Sequence, residues 1–135
     1  MDNIKWTPAY SVGVEEIDEQ HRRLISIINR LAATREEDYD ADGLLAILSD
    51  LVDYTDYHFR TEDNFMMENE YPLFLSHRKE HLAYIKKMGS LITALENKEP
   101  GLVEQMLSYL SDWWQNHIIQ SDLRYARYIR AQKKA

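Results

Sequence analysis

An all-α fold, specifically an up-down-up-down four-helix bundle with an N-terminal arm and a short C-terminal helix, is what this sequence predicts. Three observations lead there. Apolar residues recur at i, i+3, i+4 and i+7 spacing along four long stretches. The chain has only 4 Gly and 3 Pro in 135 residues, which favours long regular elements over a loop-rich fold. The breaks between the stretches are short, so consecutive helices must run antiparallel.

Residues 1–14 read as an extended arm in which Trp6, Pro8, Tyr10 and Gly13 suit a segment lying across a surface. The first helix follows over about residues 15–37, with Ile17, Leu24, Ile25, Ile28 and Leu31 on one face and His21 among them. The polar run at residues 38–43 is a loop able to cap the next helix. The second helix, about 42–68, carries Leu44, Leu48, Leu51, Thr55, His58, Glu62 and Phe65 in an almost unbroken 4-3 alternation. Glu70, Tyr71 and Pro72 make a tight reversal, with Pro72 placed to open the third helix, about 72–96. That helix lines up His77, His81, Tyr84, Met88, Leu91 and Leu95. A second break, NKEPG, puts Pro100 at the start of the fourth helix, about 101–121, with Val103, Met106, Leu107, Leu110, Trp113, Trp114 and His117 in register. The tail, 122–135, turns basic and suits a short, solvated terminal helix.

The totals bound the function classes. At this length the chain is one domain, residues 1–135, with a real core and no internal repeat. The absence of Cys excludes disulfides, thiolate zinc sites and thiol catalysis. The opening MDNIKWTPAY lacks the pattern of a secretory signal, and no apolar run approaches the ~20 residues of a membrane span, so a cytoplasmic protein is expected. A net charge of −7 argues against nucleic acid and anionic membranes as partners.

All five His of the chain fall on inward-facing stripes, and each of the four helices supplies at least one. His58 with Glu62 and His77 with His81 are i, i+4 pairs, which stacks their side chains about 6 Å apart on one helix face. Burying one ionisable group without a partner costs several kcal/mol or forces it neutral, and metal coordination removes that penalty for all of them together. Asp122 is different. Five residues beyond His117, it lies about 140° round an ideal helix. It joins the site only if the helix bulges or ends there, and otherwise reads as a surface Asp.

The pattern IDEQH around His21, HFRTE around His58, the Met66-x4-Tyr71-Pro72 link, HRKEH and HIIQSD resembles the hemerythrin family, in particular its bacterial single-domain members. The resemblance runs from Trp6 to Asp122 and implies two non-haem iron ions that take up O2 reversibly. It implies that His77, His81 and His117 ligate one iron and His21 and His58 the other, with Glu62, Asp122 and an oxide or hydroxide as bridges. The three-His iron then has six ligands and the two-His iron five, so O2 binds beside His21 and His58. Leu24, Phe59, Trp113, Trp114, Ile118 and Ile119 are the expected dry wall; Tyr54, Tyr57 and Tyr84 are candidate partners behind the ligands; Met66, Met67 and Met88 are core fillers.

The expected function is therefore O2 carriage, storage or delivery to an unidentified protein partner, without enzymatic turnover. A sensing module, or a di-iron enzyme handling peroxide or nitric oxide, is the alternative. HRKEH also fits the zinc peptidase signature H-x-x-E-H with Glu80 as base, but that reading leaves His21, His58 and His117 without a role. Ferritin-like di-iron oxidases use Glu-x-x-His motifs, and none of these five His has a Glu three residues before it.

Overall fold

The computed structural model describes residues 4–36 and 41–134. After a single 3-10 turn at Pro8–Tyr10 come α1 (Glu15–Glu36), α2 (Ala41–Glu68), α3 (Phe74–Glu96), α4 (Leu102–Asn116) and α5 (Leu123–Lys134). A π-helical segment, His117–Asp122, joins the last two. The described residues contain no strand, and the expected four-helix bundle is formed by α1 to α4. The loop predicted to cap α2 falls partly on residues 37–40, outside the described residues.

Several helix ends have an identifiable cause. Glu15, Glu16 and Asp18 place negative charge in the first turn of α1, where the helix dipole favours it. Asp18 also ties down the arm: its buried carboxylate accepts hydrogen bonds from Ser11 Oγ and, at 2.8 Å, from the Val12 backbone N–H. Gly13, at φ 78°, turns the chain there, and a Cβ at that position would collide with the Arg130 guanidinium.

The α2–α3 reversal is a Schellman motif. Tyr71 N–H bonds Met66 O at 2.9 Å, Glu70 N–H bonds Met67 O at 3.1 Å, and Glu70 sits in the left-handed region at φ 52°. The apolar contact that accompanies this motif is made by Tyr71 and Met66, both buried in one cluster. Pro72 consequently lies in the turn, and α3 starts two residues later than expected, at Phe74. The α3–α4 connection repeats the device with Lys98 at φ 59°. There Gly101, left-handed at φ 71°, caps α4, so Pro100 precedes the helix rather than opening it.

The arm lies over α1 and α4. Ile4 exchanges two backbone hydrogen bonds with the Asn29 amide, the Arg22 guanidinium sits 4.8 Å over the Trp6 ring, and Tyr10 OH donates to Gln115 Oε1 at 3.1 Å. The tail is more than a solvated end. One face of α5 buries Tyr125, Ala126 and Ile129 with Val12, Ile17, Met66 and Tyr71 in a small core of its own. A larger apolar core, including Leu24, Ile28, Leu48, Leu107 and Trp114, fills the other part of the bundle.

Candidate metal centre

Between those two cores lies a polar layer. His21, His58, His77, His81, His117, Glu62 and Asp122 are all at most 3% exposed, so the inward stripes read from spacing are buried as expected. Their donor atoms form two overlapping groups, Glu62 with His77, His81 and His117, and His21 with His58, Glu62 and Asp122. Within each group the donor atoms lie within 4.8 Å of one another.

The π-helical segment brings Asp122 in. A turn with i to i+5 closure places residues five apart in line, and His117 Nε2 is 3.0 Å from Asp122 Oδ1. The same oxygen is 3.0 Å from His77 Nε2, while Oδ2 is 3.0 Å from His21 Nε2. Asp122 thus meets two imidazoles of the three-His group through Oδ1 and His21 of the two-His group through Oδ2. Glu62 Oε1 lies 3.2 Å from both His58 Nε2 and His81 Nε2, and Oε2 is 3.8 Å from His21 Nε2.

These short separations are not ordinary pairing. His21 Nε2, His58 Nε2, His77 Nε2, Glu62 Oε1 and both oxygens of Asp122 are buried yet make no hydrogen bond of acceptable geometry. Such orphans are rare in folded proteins, and here they converge on common points. Spacings near 3 Å are also those of adjacent donors around an octahedral ion with bonds of about 2.1 Å. Imidazole and carboxylate donors without thiolate suit iron among first-row metals.

Backing groups hold the rings. Gln20 Nε2 donates to Thr61 Oγ1 at 3.3 Å, leaving Oε1 to accept from His58 Nδ1–H at 2.7 Å. Glu80 Oε1 accepts from Ser121 Oγ at 2.6 Å and faces His117 Nδ1 at 3.3 Å; Asp63 Oδ1 is 3.5 Å from His81 Nδ1. Gln20 and Glu80 fix the tautomer that turns Nε2 of His58 and His117 toward the centre, while Asp63 lies beside His81 Nδ1 without bonding it. Tyr125 OH donates to Glu62 Oε2 at 2.7 Å. Ring stacking adds to this, with Phe59 on His81 at 3.8 Å and Trp113 on His117 at 4.3 Å.

Without metal, the layer is strongly perturbed. Burial pulls the His21, His77 and His117 pKa values down, but the Asp122 and Glu62 carboxylates outweigh it and push them up to about 9, 10 and 9. For His58 burial wins, and its pKa falls. Burial alone would raise Glu62 and Asp122, but the surrounding imidazoles hold both well below the usual carboxylate range.

Several expectations are corrected. Of the proposed wall, Leu24, Phe59, Trp114 and Ile118 are buried and Trp113 is half-buried, but Ile119 is 48% exposed because, two residues past His117, it lies on the opposite side of the helix. Met66 and Met88 fill core; Met67 faces solvent. Of the tyrosines, Tyr57 is exposed, while Tyr84 accepts a 3.4 Å hydrogen bond from Trp114 Nε1 behind the Phe59 stack. The tyrosine that touches a donor is Tyr125, which sequence reasoning missed in the basic tail. Gln20 and Asp63, each directly beside a candidate ligand in sequence, were missed too. Glu80 stands behind His117, not at the centre as a peptidase base would.

The model of the hemerythrin HHE cation binding domain matches residues 12–129. The chain belongs to the hemerythrin family. It is similar to the bacteriohemerythrin of Stenotrophomonas maltophilia, 30% identical over 131 residues that cover 97% of this chain and 84% of that protein. The bacteriohemerythrin of Clostridium acetobutylicum is 26% identical over 124 residues, 89% of this chain and 96% of that one. Among solved structures, a wild-type hemerythrin superposes with a TM-score of 0.85 at 25% identity, covering 93% of this chain and 97% of that chain. This hemerythrin-family chain therefore carries a cation-binding domain, and its donor set fits non-haem iron. No described helix is long and apolar enough to cross a membrane.

Proposed function

We propose that this chain binds O2 reversibly at a non-haem di-iron centre and acts as an oxygen carrier, store or delivery protein in the cytoplasm, handing O2 to a protein partner, rather than as an enzyme. His77, His81 and His117 would hold one iron and His21 and His58 the other. Glu62 and Asp122 would bridge them together with a single oxide or hydroxide.

The observation that carries this reading is the uneven split of imidazoles, three on one side and two on the other, about two carboxylates placed to serve both. Counted as ligands, that split leaves the two-His ion one short. When bound, the irons supply the electrons and the vacant coordination position that reversible O2 uptake needs. The chain's own groups do the rest. Leu24, Phe59, Trp114 and Ile118 keep water out of the layer. Gln20 holds the His58 ring on the open side through a neutral amide, so no solvent-linked acid stands there to deliver protons. An imidazole-rich, carboxylate-poor donor set also favours holding O2 over driving oxidation.

The test is anaerobic reconstitution with ferrous iron, an iron count per chain, and visible spectra through repeated cycles of O2 exposure and removal. Two irons and a charge-transfer band that comes and goes with O2 are expected. Irreversible oxidation on first contact would place the protein with the di-iron enzymes instead.

A further inference from the structure

Three tyrosine rings run from the donor layer to the surface. Tyr125, fully buried, donates its hydroxyl to Glu62 Oε2 at 2.7 Å and sets its ring edge-on to His77, with centroids 5.4 Å apart. Tyr71, itself buried, meets Tyr125 at 6.2 Å, and Tyr128, half-buried at the outer end, meets Tyr71 at 5.5 Å. These are the separations of aromatic rings in contact. The chain has no Cys, and Met66, in the same small core, is wholly buried. The tyrosines are therefore the oxidisable groups that link this side of the layer to solvent.

We propose that Tyr125, Tyr71 and Tyr128 form a route by which oxidising equivalents leave the layer for the surface, one electron at a time, when hydrogen peroxide meets ferric iron. The proposal rests on the di-iron reading, which itself supplies the hazard. If O2 departs with two electrons and two protons, it leaves as hydrogen peroxide and both irons are left ferric. Peroxide that returns to them must then draw its electrons from the chain.

Tyr125 suits the first transfer. A phenol that loses an electron becomes a strong acid, so the loss is easy only where an acceptor waits for the proton. Here the electron passes inward and the O–H proton moves along the hydrogen bond to Glu62 Oε2. Tyr71 then gives an electron to Tyr125, which takes its proton back from Glu62. The Tyr71 proton leaves through the narrow polar opening that Tyr71 shares with Ser76, Glu80, Ser121 and Arg124. Tyr128 repeats the exchange with Tyr71, which recovers its proton by the same opening. Tyr128 ends as a tyrosyl radical at the solvent edge, within reach of a soluble reductant such as ascorbate. Two passages balance one peroxide: it takes two electrons and two protons and becomes two waters, while ascorbate gives up two of each.

The other aromatic run from the layer lacks this device. Trp113 stacks on His117 at 4.3 Å and Tyr84 lies 4.5 Å from Trp113. The buried Tyr84 hydroxyl, however, meets a donor, Trp114 Nε1, where Tyr125 meets a carboxylate.

The test adds hydrogen peroxide to the full chain after it has been shown to hold two irons and to cycle with O2, and has then been oxidised to the ferric form. Electron paramagnetic resonance follows the radical, and a nitroso spin trap with peptide mass spectrometry locates it. The parent should give a tyrosyl signal, trapped on Tyr128, that ascorbate abolishes. Tyr128→Phe should move the trapped adduct to Tyr71. Tyr71→Phe should leave Tyr128 unlabelled and strand the radical on buried Tyr125, out of ascorbate's reach. Both changes keep the ring, and circular dichroism and iron content check that the fold is intact. A loaded chain without a tyrosyl radical, or one that labels Tyr128 as well in Tyr71→Phe as in the parent, overturns the route and leaves the O2 reading standing. Equal labelling of metal-free chain also overturns it, and a chain that takes up no iron pair overturns both.

Discussion

Tyr125→Phe isolates a single atom of the buried layer. The hydroxyl donates to Glu62 Oε2 at 2.7 Å, both groups are inaccessible to solvent, and burial next to Glu62 and Asp122 drives the phenol pKa well up, so it stays a donor at any working pH. Phe keeps the ring that packs edge-on against Phe65, Tyr71 and His77 and removes only the O–H. A hydrogen bond to a charged group contributes about 1.5–3 kcal/mol, and its loss leaves a buried carboxylate oxygen without a partner. For a chain of this size that corresponds to a drop of roughly 5–12 °C in the melting temperature of the metal-free protein. Losing the group that orients Glu62 should also weaken iron binding about 10- to 100-fold, read by competition with a chelator of known affinity. A Tyr125→Phe protein that melts with the parent and binds iron equally well would show that this contact orients nothing.

Three further outcomes follow from the same geometry. Iron loading should widen the gap in melting temperature between loaded and metal-free protein, and His117→Ala should collapse that gap by removing a donor, its Glu80 support and the pairing with Asp122; undiminished iron content would refute this. The raised pKa values of His21, His77 and His117 stabilise the metal-free fold fully below about pH 6.5, and that stabilisation is lost as pH rises through 9 to 10. The depressed carboxylates act oppositely, their stabilisation being lost as pH falls below about 4. Ferrous iron added at pH 7 must therefore displace protons from these three imidazoles, and calorimetry in buffers of different ionisation enthalpy should find about four released, three from the imidazoles and one from the water that becomes the bridging hydroxide, where none would contradict the charge assignment. Glu70→Gly relieves a left-handed residue at a helix end that glycine usually occupies, and should stabilise the chain by about 1 kcal/mol in thermal melts.

The helices and most of the donor set were legible because burial and spacing speak the same language. A stripe such as Leu48, Leu51, Thr55, His58, Glu62 buries polar groups only because the helical period forces them inward, and that is visible in a string of letters. Asp122 was legible only as a condition, because periodicity assumes an α-helix and the π turn departs from it. The supporting shell was harder still. Gln20 lies next to a candidate ligand in sequence yet serves His58 on another helix, and Tyr125 reaches Glu62 across 63 residues. Such contacts depend on how helices are rotated against one another, which no single helix's pattern contains. Pro72 and Pro100 misled for a related reason. Proline permits a helix start, but the Schellman turns at Glu70 and Lys98 fix where the chain can re-enter a helix.

The placement of the donor layer explains why the site and the fold are one problem. The apolar interior is divided, with the cluster around Leu24, Leu48 and Trp114 on one side and that around Ile17, Met66 and Tyr125 on the other. Seven ionisable side chains occupy the plane between, contributed by α1, α2, α3 and the π segment after α4. An apolar core would have sealed that plane by burial alone. Here, without metal, it is held by imidazoles and carboxylates that lie close to one another but are poorly aligned for hydrogen bonding. A cation in that plane gives the orphaned atoms a common partner and joins all four helices of the bundle at one level. The π segment pays for its irregular backbone by bringing Asp122 into that plane, and α5 follows directly to set Tyr125 against Glu62. Metal affinity, the odd helix geometry and the docking of the tail should therefore respond together when any one of them is disturbed.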